Sequence, residues 1–234
     1  MRETDLAGFD PAIKLPLKQY LDAYDFGIKN VRNTALANFI SAVKSLAPEA
    51  REVTLEHLCP LVFEKPGSFP VQFPLMRELL VPYLLENFHA RRLPHVRWLA
   101  QCAAQSEMIK EATGGLEKKQ LLQLALEIEP QDSASWQLLA QEHFEILDFA
   151  THHLPEALVI REEVCRRELS SLAQIFMQDS ETRARYQTRY DYLHEVLDDW
   201  ERFQAEVDVG SFAAWCIAQK RNYHWMPSAE DSQD

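Results

Sequence analysis

Residues 155–207 read PEALVIREEVCRRELSSLAQIFMQDSETRARYQTRYDYLHEVLDDWERFQAEV, and the pattern inside this stretch decides the fold. Apolar side chains recur at Leu158, Cys165, Leu169, Leu172 and Phe176, then at Tyr186, Tyr190, Leu193, Leu197 and Trp200, in steps of three, four or seven. Such steps return a side chain to the same side of an α-helix, whereas a half-buried strand would alternate. Only Gln178, Asp179 and Ser180 separate the two runs, and Ser180 is placed to cap the second. So short a turn forces two long helices to lie antiparallel with their seams facing. The spacing predicts one helix over 155–178, opened by Pro155, and a second over 181–207.

The rest of the chain is punctuated in the same way. It has only 6 glycines, and Leu, Ala, Glu and Gln crowd the segments between prolines, which favours helices over sheet. Ala35, Leu36, Phe39, Ile40, Val43 and Leu46 mark one helix, and Thr54 is placed to cap a shorter one through Leu55, Leu58 and Leu61. Pro74 starts a helix through Phe88, in which Pro82 removes the amide that would bond the Glu78 carbonyl and so predicts a kink. The next helix begins at Pro94. Residues 133 to about 150 are apolar on every side and are expected to be buried all round. Between 65 and 73 two prolines and a glycine exclude a helix, and Phe69, Val71 and Phe73 at alternate positions would point the same way if that loop is extended. The expected fold is therefore all-α, a multi-helix bundle or irregular array of antiparallel helical hairpins. It would hold about 8 to 10 helices and no significant β-sheet. One domain is expected over 1–227, with a subdivision near Gly114 and Gly115, followed by a disordered acidic tail at 228–234.

One junction carries a family pattern. Leu122, Ala125, Pro130, Trp136, Leu139 and Ala140 are spaced as in the tetratricopeptide repeat, where a small residue and a proline close one helical pair and a tryptophan, a leucine and a small residue open the next. The chain resembles that family over 122–140. Outside this junction the pattern departs, with His152 and Cys102 standing where a small residue and the opening tryptophan would be. The resemblance implies antiparallel helical hairpins and a role in binding other proteins.

Charge divides the chain. Residues 1–117 carry 13 basic and 14 acidic side chains, whereas residues 118–234 carry 11 and 22. An acidic half of this kind repels nucleic-acid backbones and anionic membranes and speeds encounter with a basic protein partner. No helix gathers the Lys and Arg that phosphate contacts need, so neither nucleic acid nor membrane is an expected partner. No apolar run approaches the roughly 18 residues of a membrane span, and the residues from Met1 to Asp5 carry no signal-like apolar core. Cys59, Cys102, Cys165 and Cys216 are far apart, with no CxxC pair, and read as reduced core residues of a cytoplasmic protein.

The candidate chemistry is sparse. No phosphate-binding loop, dinucleotide fingerprint or nucleophile elbow is present, which argues against an enzyme of those classes. His143, Asp148, His152 and His153 form the densest group of ligand-type side chains, flanked by Glu142, Glu145 and Glu156. Helical spacing puts Asp148 and His152 on one face, so a metal ion or small-molecule site near them is the alternative to a binding module. No cofactor is expected otherwise. Arg91, Arg92 and Arg97, with His89 and His95, form a basic island around Pro94 suited to a phosphate or carboxylate, whereas the loop holding Phe69 and Phe73 is a candidate cover over a pocket, beneath which the His143 site would be reached. Tyr192 falls off the seam of its helix and reads as a surface contact. The leading expectation is a protein-interaction module, an adaptor, inhibitor or neutralising partner for a basic protein surface. The hairpin at 155–207 is also a route to a homodimer.

Overall fold

The computed structural model describes residues 6, 8–65, 67–102, 107–206 and 210–225, so the tail expected at 228–234 lies outside the described residues. Every regular element among them is helical, as the periodicity predicts. The chain divides into two compact units, 1–129 and 130–234, and Gly114 and Gly115 fall inside the first.

The first unit begins with α1 (Pro11–Asp25), whose N-terminus is closed by the Asp10 side chain accepting from the Ala12 amide at 2.8 Å. Ile13, Leu17, Tyr20 and Ala23 repeat on one face and are buried. They pack on α2 (Lys29–Lys44), where Ala35, Leu36, Phe39, Ile40 and Val43 are buried in turn. The Tyr20 and Phe39 rings stack in parallel, with centroids 6.1 Å apart. The helix expected from a cap at Thr54 starts earlier, as α3 (Pro48–Phe63). Pro48 occupies the first turn, where no amide is needed, and Thr54 is buried inside the helix.

The irregularity expected at Pro82 takes the form of a widened turn just upstream. After α4 (Phe73–Leu75), residues Met76–Leu80 form a π turn in which the Val81 amide reaches back five residues to the Met76 carbonyl, and α5 (Val81–His89) comes next. One extra residue in the turn is a common way for a helix to absorb a local fault. α6 (His95–Cys102), α7 (Glu107–Ala112) and α8 (Lys118–Ile128) complete the unit, with α6 packed on α5 and α8 and nearly all of its side chains buried. A capping box between Glu117 and Gln120 opens α8.

The second unit holds α9 (Ser133–Thr151), α10 (Glu162–Gln178), α11 (Ser180–Ala205) and α12 (Phe212–Ala218). The hairpin predicted from the seams is α10 and α11, joined through Asp179 alone. That residue caps α11 by accepting from the Thr182 amide at 2.8 Å and also accepts from the Ser133 hydroxyl at 2.9 Å, tying the turn to the start of α9. Cys165, Leu169, Leu172, Phe176, Leu193 and Leu197 are buried, and both helices pack on α9.

Two boundaries differ from expectation. Pro155 does not open a helix; the chain turns through 152–161, held back on α9 by the Val159 amide on the Ala150 carbonyl at 2.9 Å, and α10 begins at Glu162. α9 is not buried all round, because only the face of Leu139, Ala140, His143, Phe144, Leu147 and Ala150 is covered while Phe149 stays 55% exposed.

Candidate functional site

Of the four side chains considered as metal ligands, His143 and Asp148 each have a partner of their own, while His152 and His153 pack on each other. His143 is buried in α9, and its Nδ1 lies 2.5 Å from Glu168 Oε2 on α10. Asp148 pairs with Arg189 of α11, whose guanidinium also lies 4.5 Å over the Phe144 ring. The Nδ1 of His152 bonds the Phe149 carbonyl at 2.6 Å, and its ring packs on His153 with centroids 4.0 Å apart. Among the described residues no group of three or more His, Cys, Asp or Glu side chains is placed to hold a metal ion.

At the same place the end of α9 presents a different arrangement. Phe149 is exposed with one face stacked on His152, at 5.2 Å between centroids. The folded-back turn brings the exposed Val159 beside Ala150, next in sequence to Phe149. Glu145 lies one helical turn before Phe149, and Glu156 lies in the turn after the helix; both are exposed and form no ion pair with a described residue. The end of α9 thus presents an exposed ring with an exposed carboxylate one turn before it on the same helix.

Residues 1–129 carry 15 basic and 16 acidic side chains, and residues 130–234 carry 9 and 20, so the charge asymmetry coincides with the structural division. Much of the positive charge in the second unit is used internally. Arg166 binds Asp198 at 2.6 Å, Glu201 at 2.8 Å and Glu162 at 3.3 Å. Arg221 pairs with Glu195 at 2.5 Å and with Asp199 at 2.7 Å, and Arg202 reaches Asp199 at 3.5 Å. Glu145, Glu156, Glu163 and Glu206 remain exposed, so the field that leaves this unit is negative.

In the first unit the basic island disperses. Arg97 is buried on Glu64 at 2.8 Å, Arg92 reaches Asn87 at 3.3 Å and Glu52 at 3.6 Å, and Arg91 is exposed with φ of 51°. Phe69 is buried against Tyr20, while Phe73 is exposed beneath the Arg77 guanidinium, so the loop is anchored to the core at one ring only. The Tyr20 hydroxyl holds that loop by donating to the Pro70 carbonyl at 2.7 Å.

A polar triad lies where the sequence pointed to none. The buried Tyr83 hydroxyl donates to Glu56 Oε1 at 2.5 Å and lies 3.2 Å from His95 Nε2, which is 3.0 Å from the same carboxylate oxygen. Burial lowers the basicity of His95 against the opposing pull of Glu56, and burial together with that carboxylate raises the pKa of Tyr83 well above the usual phenol range. Tyr83 also lines a cleft of about 630 Å³ whose rim charges include the Lys44–Glu78 and Arg92–Glu52 pairs. The triad joins α3, α5 and α6, residues separated by up to 39 positions, which no local motif records. The cysteines are all buried and free. Burial pushes the Cys102 thiol up to about 12, and burial aided by Asp199 pushes Cys216 up to about 11, so neither is a thiolate at neutral pH.

No helix among the described residues is long and apolar enough to cross a membrane. A scan against protein-family models finds no match to this chain, and searches of the curated proteins and of the solved structures find none either.

Proposed function

We propose that the chain is a helical protein-interaction module that binds a basic protein surface through its second unit, with the end of α9 as the point of contact. The observation that carries this reading is the exposed Phe149 on an acidic unit, with the exposed Glu145 one helical turn before it. Lys and Arg of a partner would meet the carboxylates, while Phe149 and Val159 supply the apolar contact that gives the complex its lifetime. The partner in this reading is a protein, because a phosphate backbone would be repelled by the same field.

Capture from a native lysate with the full chain, at low and at high salt, tests it. A stoichiometric basic partner is expected at low salt, weakened at high salt and lost with Phe149→Asp. Absence of any stoichiometric partner, or a partner held equally well by Phe149→Asp, overturns the reading.

A further inference from the structure

The tip of the α1–α2 hairpin is exposed apolar surface that the described residues leave uncovered. Phe26 is 77% exposed, and Ile28, Val31 and Tyr24 are exposed around it. Gly27, at φ +74°, makes the reversal between the helices and holds Phe26 at the bend. Beside this ring runs a groove of about 570 Å³ between the two helices, lined by Ala23, Thr34, Ala35 and Asn38 together with Phe26 and Val31. A projecting ring and a shallow groove of small and polar side chains, Gln19, Asp22 and Asn30 among them, therefore sit next to each other on one hairpin.

The charges at the tip run against their own helices. The last turn of α1 holds Asp22 and Asp25 and no base, and the first turn of α2 holds Lys29 and Arg32 and no acid. Acids at a helix C-terminus and bases at an N-terminus are each unfavourable in the helix dipole. No ion pair within the described residues offsets them at Asp22, Asp25 or Lys29, although Arg32 lies 5.5 Å over the Tyr24 ring. Two acids on one helix and two bases on the next make a pattern complementary to itself.

We infer that this face binds a second copy of the chain in an isologous pair. Phe26 of each copy enters the groove of the other, and Asp22 and Asp25 of each meet Lys29 and Arg32 of the other. A twofold axis is what lets one knob, one groove and one balanced charge set satisfy each other twice. The near-neutral balance of residues 1–129 permits two such units to meet, where the acidic unit would oppose its own copy.

Sedimentation velocity on the full chain tests this. The wild type is expected to dimerise at micromolar concentration, and Phe26→Asp to raise the dissociation constant by at least roughly 100-fold. The double variants Asp22→Lys with Asp25→Lys, and Lys29→Glu with Arg32→Glu, are each expected to be monomers that form a heterodimer when mixed one to one. That rescue separates loss of contact from loss of fold. A wild type that stays monomeric at about 100 µM, a dimer indifferent to Phe26→Asp, or charge variants that fail to complement each other would each overturn the proposal.

Discussion

Asp199 and His95 show what single residues do here and why the sequence hides it. Asp199 is fully buried in α11 and takes Arg221 and the Tyr223 hydroxyl, so one carboxylate fastens the segment after α12 to the long hairpin. These two partners lie 22 and 24 positions away, beyond any helical spacing, and in the sequence it stands as one acid among many. Tyr192, which falls off the helical seam, packs with its ring near Tyr223 and bonds His224 at 2.6 Å, so the surface contact expected of it is made within its own chain. His95 sits in a basic run but is buried on Glu56 and Tyr83. Because burial lowers its folded-state pKa below the unfolded value of about 6.5, the unfolded chain takes up the extra proton in the window beneath that value. Stability attached to neutral His95 is therefore complete above about 6.5 and falls as pH drops toward the folded-state pKa. Urea unfolding followed between pH 7 and 5 should show that decline. His95→Gln, which keeps a donor toward Glu56 without the titration, should flatten it. An unchanged slope would assign the acid sensitivity elsewhere.

At the scale of elements, legibility depends on the range of the forces. The α10–α11 seam is readable because burial against a neighbouring helix imposes a three-and-four spacing on Leu169, Leu172, Leu193 and Leu197. The start of α10 is not, because the turn through 152–161 is set by a backbone bond from Val159 to Ala150 and leaves no mark in the side chains. The candidate contact is half readable: histidine and carboxylate types draw attention to the end of α9, but the exposed Phe149 is hidden among residues whose apolar pattern looks uniformly buried. The hairpin also separates two kinds of stabilisation. Leu172 is fully buried in the seam, whereas Arg166 joins Glu162, Asp198 and Glu201 at a partly solvated surface. Truncating a buried leucine loses both transfer energy and packing, so Leu172→Ala should cost about 3 kcal/mol. Arg166→Ala should cost about 1 kcal/mol or less despite its three carboxylate partners, since water screens them. Chemical denaturation of the two variants checks the order; an arginine as costly as the leucine would mean that the ion-pair network, not the seam, holds the hairpin.

Across the whole molecule the two units differ in charge more than in architecture. Both are helical, yet residues 130–234 carry 20 acids against 9 bases while residues 1–129 are balanced. The exposed carboxylates act at a distance and the ring at Phe149 acts only on contact, so they should affect different steps of binding. Long-range attraction raises the rate of encounter and is weakened by salt, whereas desolvated apolar contact sets the rate of escape. With the captured partner in hand, Glu145→Gln, Glu156→Gln and Glu163→Gln together should lower the association rate by about tenfold at low salt and much less at high salt, leaving dissociation nearly unchanged. Phe149→Ala should do the reverse, speeding dissociation at every salt concentration. Surface-plasmon kinetics on the full chain distinguish the two. If the carboxylate variant instead changes only dissociation, those acids make short-range contacts, and the segregation of charge into the second unit does not steer the partner.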